Sequence, residues 1–534
     1  MPAPQTKTMR SAAGVTAALT ALFLLSDVVR VFRTTGGWTY SLDDAYIHLA
    51  IADTLRNHGV WGLTPADAAG ASSSPLWTLL LATFGAPEWF PLVLNFLLVT
   101  LGAAWLAGVC ARQSGSAWTG IVFGIAAVLL TNSLRAMAAG MEHLFHGLLS
   151  ALFLGACLRA AYPEGERAGR GPLLMIGGLA ALAIVCRAES LMVVGIGGLT
   201  LVAFRRWPAV LATVAGALIG LGTYAAIGAW QRIPAVPNSV ALKVLETGGS
   251  FPFGRLRLNL LHQTTFAVMA LIALVGSLTM VVAMVRNRRA TAGQVGILMA
   301  TALVWGHLVL AKITHPGRYE VYMLVVLGAL ALPEIAARLH AENPQRRRNL
   351  AFVVVPVLAM IAIRPALLLR VADAARWSEE INASPREMER FVQQALPQGT
   401  VMLNDVGAVS YYTHARVLDL WGLGNNEVCR ERLRVGGVPS PEWIEGFARR
   451  EHADLAMVFD VWFDIRGSIQ FRTPGRGLPR SWTKIGEFRL RGKREVVGGD
   501  AVSVYVVRPE KVPGLRAKFA AFRSGSSQDE LIPF

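Results

Sequence analysis

Cysteine is scarce. The 534-residue chain carries four, Cys110, Cys157, Cys186 and Cys429, with no CxxC pair. The first three fall inside apolar segments. Neither a disulfide framework nor a cysteine-ligated zinc site organises such a chain. Charge is scarce too: Asp, Glu, Lys and Arg make up 16% of residues, against roughly 25% in soluble proteins. No Walker-type or GxGxxG loop follows a strand pattern, so nucleotide chemistry is not indicated. There is no internal repeat and no long low-complexity linker. What is abundant is apolar sequence, with a mean hydropathy of +0.45, the composition of an integral membrane protein over most of its length.

The formal net charge of +16 would raise nucleic-acid binding in a soluble protein. Here the arginines cluster in short loops between apolar runs, which reads as membrane topology. Lys7 and Arg10 precede an apolar run from about Ala12 to Phe32. It lacks a small-residue cleavage site, so a retained first transmembrane helix is expected rather than a signal peptide. With about 20 apolar residues needed per crossing, the expected spans are 12–33, 89–111, 117–134, 141–161, 172–186, 189–204, 208–229, 264–286, 294–312, 319–337 and 349–369, eleven in all. Segment 73–86 is too short to cross and ends at Pro87; it is expected to be re-entrant or a lead-in to the second span.

With the N-terminus cytoplasmic, this parity puts Arg112, Arg159, Arg167, Arg170, Arg205, Arg206, Arg286, Arg288, Arg289, Arg338 and Arg346 to Arg348 inside, as the positive-inside rule requires. Residues 1–370 are then a transmembrane domain whose first outer loop is 34–72, and residues 371–534 lie outside the cytoplasm. That tail alternates helix and strand patterns. PREMERFVQQA reads as an amphipathic helix, TVMLN and RVLDL as strands with a helix starting at Asp405 between them, WIEGFARREHADLAMVFD as helix then strand, and REVVGGDAVSVYVVRP as a hairpin around Gly498 and Gly499. A small α/β domain fits.

The same topology gathers the unusual polar residues on one side. Asp43 and Asp44 in SLDDAYIHL, Glu142 and His143 in AGMEH, Arg187 and Glu189 in CRAES, Asn238 and Lys243 in PNSVALK, and His315, Arg318 and Tyr319 in THPGRYE all come to the outer face. Ionisable groups there are costly, and their convergence points to a site. Each has a plainer role open to it. Ser41 and Asp44 match a capping box. Ile47, Ile51 and Leu55 recur every four residues, so the following helix is expected to lie in the membrane interface. Glu142 suits a helix N-terminus, Arg187 and Glu189 a packing ion pair, and Lys243 and Arg318 snorkelling anchors. Asp405 and Asp419 of the tail read as a cap and a strand-end residue.

A sugar carried on a polyprenyl phosphate would need such a set: a groove for the lipid, cations for the phosphate and a carboxylate to take the acceptor proton. Asp43 or Asp44 would serve as base while Lys243 and Arg318 stabilise the leaving phosphate. Asp43 is the first choice, with Asp44 as cap, metal partner or substitute. Direct displacement would invert the anomeric carbon.

The run LDDAYIHLAIADTLRNHGVWGLTP followed by SSSPLWTLLLA resembles the first outer loop of the GT-C fold glycosyltransferases, which use polyprenyl-phosphate sugars. Within that superfamily the chain is most similar to the branch containing the mycobacterial terminal β-arabinofuranosyltransferase. AGMEH, CRAES in place of Arg-Pro-Glu, PNSVALK, GRYEVY and LNDVGAVSYYTHARVLDLWGLGN continue the similarity in order. The resemblance implies a multi-pass enzyme of the bacterial inner membrane with an acidic pair, here Asp43 and Asp44, carrying the base. It implies a divalent cation at that pair, Mg2+ or Mn2+, in several members, and no nucleotide. It implies a polyprenyl-phosphate sugar donor and a glycan, lipid or protein acceptor at the outer face. The chain departs from the family at Ala188, where Pro is usual, and at AGASSSP, where an EGYTSP-like sequence is common. A transporter or flippase of lipid-linked sugars, and a non-catalytic anchor displaying a glycan-binding tail, are the rival readings. The first is disfavoured by the lack of inverted repeats and broken midplane helices.

Overall fold

The ends of the apolar helices carry the polar residues, and the C-terminal region folds over those ends. The computed structural model describes residues 3–163, 169–246, 256–257, 259, 264–310, 318, 320–339, 373–464, 477–491, 494–525 and 529–534. The expected span 349–369 and the site candidates His315 and Tyr319 lie outside these residues.

Six helices among the described residues are long and apolar enough to cross a membrane: α1 (Ala3–Thr35), α4 (Trp89–Ser114), α7 (His143–Ala161), α10 (Trp207–Gln231), α13 (Ala292–Leu310) and α14 (Val321–Leu339). Shorter apolar helices α5 (Ala117–Leu130), α8 (Arg170–Cys186) and α9 (Ser190–Ala203) stand among them, as does α12 (Thr264–Asn287). The expected spans from 12–33 to 319–337 each fall on one of these ten helices. The chain is a multi-pass membrane protein.

Three shorter helices sit at the polar end: α2 (Asp44–His58), α3 (Pro75–Thr83) and α11 (Asn238–Glu246). Helix α2 stops where Gly59 takes a left-handed φ of 69° and returns its N–H to Leu55, the usual glycine C-cap. Helix α3, opened by Pro75, has nine residues, about 13 Å of rise, so segment 73–86 does not cross. Short α6 (Ser133–Ala138) precedes α7.

Residues 373–534 form an α/β unit. Helices α15 (Asp373–Ala383) and α16 (Pro385–Ala395) lead into a six-stranded sheet ordered β2-β1-β3-β5-β4-β6. Strands β1 (Thr400–Leu403), β2 (Arg416–Asp419) and β3 (Leu455–Val458) are parallel, with α17 (Gly407–Tyr412) connecting β1 to β2. Helices α18 (Asn426–Val435) and α19 (Pro441–Arg450) connect β2 to β3. Strands β4 (Thr483–Leu490), β5 (Ala501–Val506) and β6 (Asp529–Pro533) extend the sheet antiparallel, with α20 (Val512–Ala521) before β6. The expected hairpin is present, but its first strand is 483–490 rather than REVV, and Gly498 and Gly499 belong to the connection.

Two expectations for the first loop are corrected. Helix α2 does not lie on a lipid surface with Ile47, Ile51 and Leu55. Ile47 and Ile51 are buried in one core with Phe391, Leu403, Val417 and Leu418 of the C-terminal unit, and Leu55 packs against it. A period-four apolar face reports burial without saying against what. The capping box is not formed either. The N-cap of α2 is Asp43, with no side-chain cap bond, and the buried Ser41 hydroxyl has no hydrogen-bond partner among the described residues.

Candidate active site

The two adjacent carboxylates point to different partners. Asp43 is buried and accepts two backbone hydrogen bonds from the start of α17, one from the N–H of Gly407 and one of 2.8 Å from the N–H of Ala408. Its carboxyl also hydrogen-bonds that of Asp405. Two carboxylates cannot bond without a proton between them, and burial together with Asp43 pushes the Asp405 pKa well up. Asp405 is therefore not the cap of α17, as expected from sequence; Asp43 fills that place from the other end of the chain. Asp419 does end β2 as expected, accepting the N–H groups of Trp421 at 2.7 Å and Gly424 at 2.6 Å.

Asp44, one residue on, turns the other way. It pairs with Arg318 at 2.5 Å, and its side chain is 38% exposed while that of Arg318 is 12%. A partly exposed carboxylate can reach a substrate hydroxyl; a buried one surrounded by backbone N–H groups cannot.

A second charged group lies beside this pair. Arg187 ends α8 in extended backbone and is buried between Glu142, at the N-cap of α7, and Glu189, at the N-cap of α9. The Arg187–Glu189 contact is 2.8 Å. The expected packing pair is thus a triad, with both acids also at helix N-termini where the dipole favours them. Lys243 on α11 acts electrostatically on Glu189. His143 is buried and feels both Arg187 and Arg318.

His48, absent from the sequence candidates, joins the two groups. Its Nε2 is 3.8 Å from Glu142 and its Nδ1 is 3.1 Å from the Thr78 hydroxyl, which bonds Ser72 at 2.9 Å. Asp44 and His48 stand one helical turn apart and share a face of α2, so the spacing DDxxxH carried the signal. Ser72 lies in AGASSSP, where the family resemblance implies an EGYTSP-like sequence, and Thr78 follows three residues after that stretch. Further inside, His307 Nδ1 bonds the Tyr322 hydroxyl at 2.8 Å, and His146 stacks on the same ring.

Asn238 belongs to a different place. Its N–H bonds Gly70, and its side-chain amide donates to the Leu423 carbonyl and the Asn426 side chain at 3.1 and 2.9 Å. It fastens the first loop and α11 to the C-terminal unit, so its amide is not offered to a phosphate.

Nor do Asp43 and Asp44 converge as a cation site. Both oxygens of Asp43 accept N–H groups and Oδ2 of Asp44 faces a guanidinium. Among the described residues no three His, Cys, Asp or Glu side chains group as metal ligands. Divalent cations want several convergent oxygens, and this donor set does not supply them.

Membrane helices with an α/β unit folded over their polar end make a fold that is shared with solved structures of the GT-C type. The comparison that carries this is with ArnT from Cupriavidus metallidurans in the apo state: TM-score 0.51 at 14% identity, over 92% of this chain and 98% of that one. ArnT is a GT-C glycosyltransferase. Its structure bound to undecaprenyl phosphate gives a TM-score of 0.49 at the same identity and coverage. A family model described as a domain of unknown function (DUF8728) matches residues 373–505. No curated protein matches the chain. The likeness to ArnT is one of fold and does not extend to the mycobacterial branch.

Proposed function

We propose that the protein is an inverting glycosyltransferase of the bacterial inner membrane that moves a sugar from a polyprenyl phosphate to a glycan, lipid or protein acceptor of the cell envelope. The observation that carries the reading is the partly exposed Asp44 carboxylate paired with Arg318 beside the buried Arg187 group. Asp44 takes the proton of the acceptor hydroxyl as the oxygen attacks the anomeric carbon. The bond from that carbon to the phosphate oxygen breaks, and the charge left on the phosphate is stabilised by Arg318 and Lys243. Arg187, bonded to both Glu142 and Glu189, fixes the helix ends around that point. The fold shared with ArnT supports the reaction class. On this reading the N-terminus is cytoplasmic and residues 373–534 are periplasmic. The placement beside the mycobacterial arabinofuranosyltransferase branch rests on the sequence motifs, and arabinofuranose, or another pentose or hexose, is the sugar to test.

The test is transfer by the purified protein from a panel of polyprenyl-phosphate sugars, with Asp44→Asn run in parallel. Turnover that disappears in a folded Asp44→Asn variant supports the reading. Full activity of that variant rules out Asp44 as the base.

A further inference from the structure

The C-terminal unit contacts the first loop at the residue next to the proposed base. Asp43 offers both carboxylate oxygens to Gly407 and Ala408. The approach is close enough that a Cβ on Gly407 would stand 2.1 Å from the Asp43 carbonyl oxygen and 2.6 Å from Oδ2. Only glycine admits that contact. Around it, Tyr46 of α2 packs against Tyr411 and Tyr412 of α17, with ring centroids at 6.1 and 5.4 Å. At the far end of the loop Asn426 takes the N–H of Gly70 and returns its own amide to Ala68. Between these points Arg416 grips Asp67 at 2.8 Å.

A free loop would leave Asp44 many orientations. Here its neighbour is fixed at two oxygens, so the backbone of the first turn of α2 is set before any substrate arrives. We infer that Gly407 and Ala408 are positioning residues of the reaction: their amides clamp Asp43 and thereby aim Asp44 at Arg318 and the reacting hydroxyl. The C-terminal unit is then a working part of the active site rather than a displayed module. The inference about aim rests on Asp44 being the base; the clamp itself does not.

The experiment uses the full chain in detergent. Amide hydrogen exchange is followed in peptides covering Gly407 and Ala408, in the wild type and in Asp43→Asn. Steady-state kinetics are measured for Ala408→Pro, which removes one N–H at a helix start where proline is tolerated, and for Gly407→Ala. We expect exchange at the two amides to rise in Asp43→Asn. We expect kcat to fall at least about tenfold in Ala408→Pro, with KM for the donor changed less than about twofold. Unchanged exchange in Asp43→Asn overturns the clamp. Unchanged kcat in folded Ala408→Pro or Gly407→Ala overturns the positioning role. Full activity in Asp44→Asn, with exchange raised in Asp43→Asn, removes the base assignment and leaves the clamp standing.

Discussion

Arg318 Nη2 lies 2.5 Å from Asp44 Oδ2 across 274 residues of sequence. The pair is a bond between the start of helix α2 and Arg318, three residues before α14. It orients Asp44 while leaving the carboxylate partly open. Removing the guanidinium would break that ion pair and strip a cation from the phosphate side. Arg318→Ala is expected to lower kcat by about 10²-fold. Arg318→Lys should recover part of this, since it keeps the charge but not the planar fork. Steady-state transfer assays on both variants check the order.

The Arg187 triad predicts a stability effect. Arg187 is the cation that both Glu142 and Glu189 bond. Arg187→Met leaves Glu142 buried without its cation, and breaking a buried pair costs about 3–5 kcal/mol. Thermal unfolding in detergent should show a large loss for Arg187→Met and a smaller one for Glu189→Gln, whose side chain is 26% exposed.

The shared proton of Asp43 and Asp405 makes docking of the C-terminal unit depend on pH. Burial, and then Asp43, raises the Asp405 pKa; Asp44 and Asp419 add to the same field. Burial raises Asp43 as well, against the Gly407 and Ala408 amides that lower it. A carboxyl with a raised folded-state pKa contributes stability that is full below its ordinary pKa and lost as pH climbs through the raised value. Stability should therefore fall with rising pH. Asp405→Asn keeps an N–H donor for Asp43 and should flatten that fall in a series of melts from acid to alkaline buffer.

Gly140, in the AGMEH motif, has φ of +65°, and a Cβ there would meet the ring of Tyr40 at 2.5 Å. Gly140→Ala is expected to destabilise by about 1–3 kcal/mol, from backbone strain and overpacking together. Because Glu142 is two residues on, the variant should also lower activity. Melting and transfer assays on one preparation test both.

The apolar helices were legible because length and hydropathy are properties of single segments, and β1, β2, α16 and α19 because their patterns are local. Arg187 with Glu189 was legible for the same reason, being two residues apart. What sequence hid were the partners. Asp43 and Asp44 are neighbours with the same chemistry, and only the three-dimensional path of the chain gives one to α17 and the other to Arg318. The first choice of Asp43 as base came from an expected capping box at Asp44, and that box is not formed. His48 was written in the spacing from Asp44, yet its value lies in Glu142, 94 positions later in the numbering. Asn238 reads in the sequence as one more site candidate beside Lys243, whereas its bonds run to Gly70, Leu423 and Asn426.

Ile51 separates the expected setting of α2 from the observed one. On a membrane interface, trimming it to Ala would cost little folding stability, since the side chain would only exchange lipid contact for less lipid contact. In the structure it is fully buried in the core shared with the C-terminal sheet, and Ile→Ala in such a core costs about 2–5 kcal/mol. Ile51→Ala should therefore lower the melting temperature of the whole chain and raise amide exchange in β1 and β2. Loss in α2 alone, with the sheet unaffected, would return the helix to the membrane surface. The partly buried Leu55 at the same seam should give a smaller effect in the same direction, because less of its surface leaves water on docking.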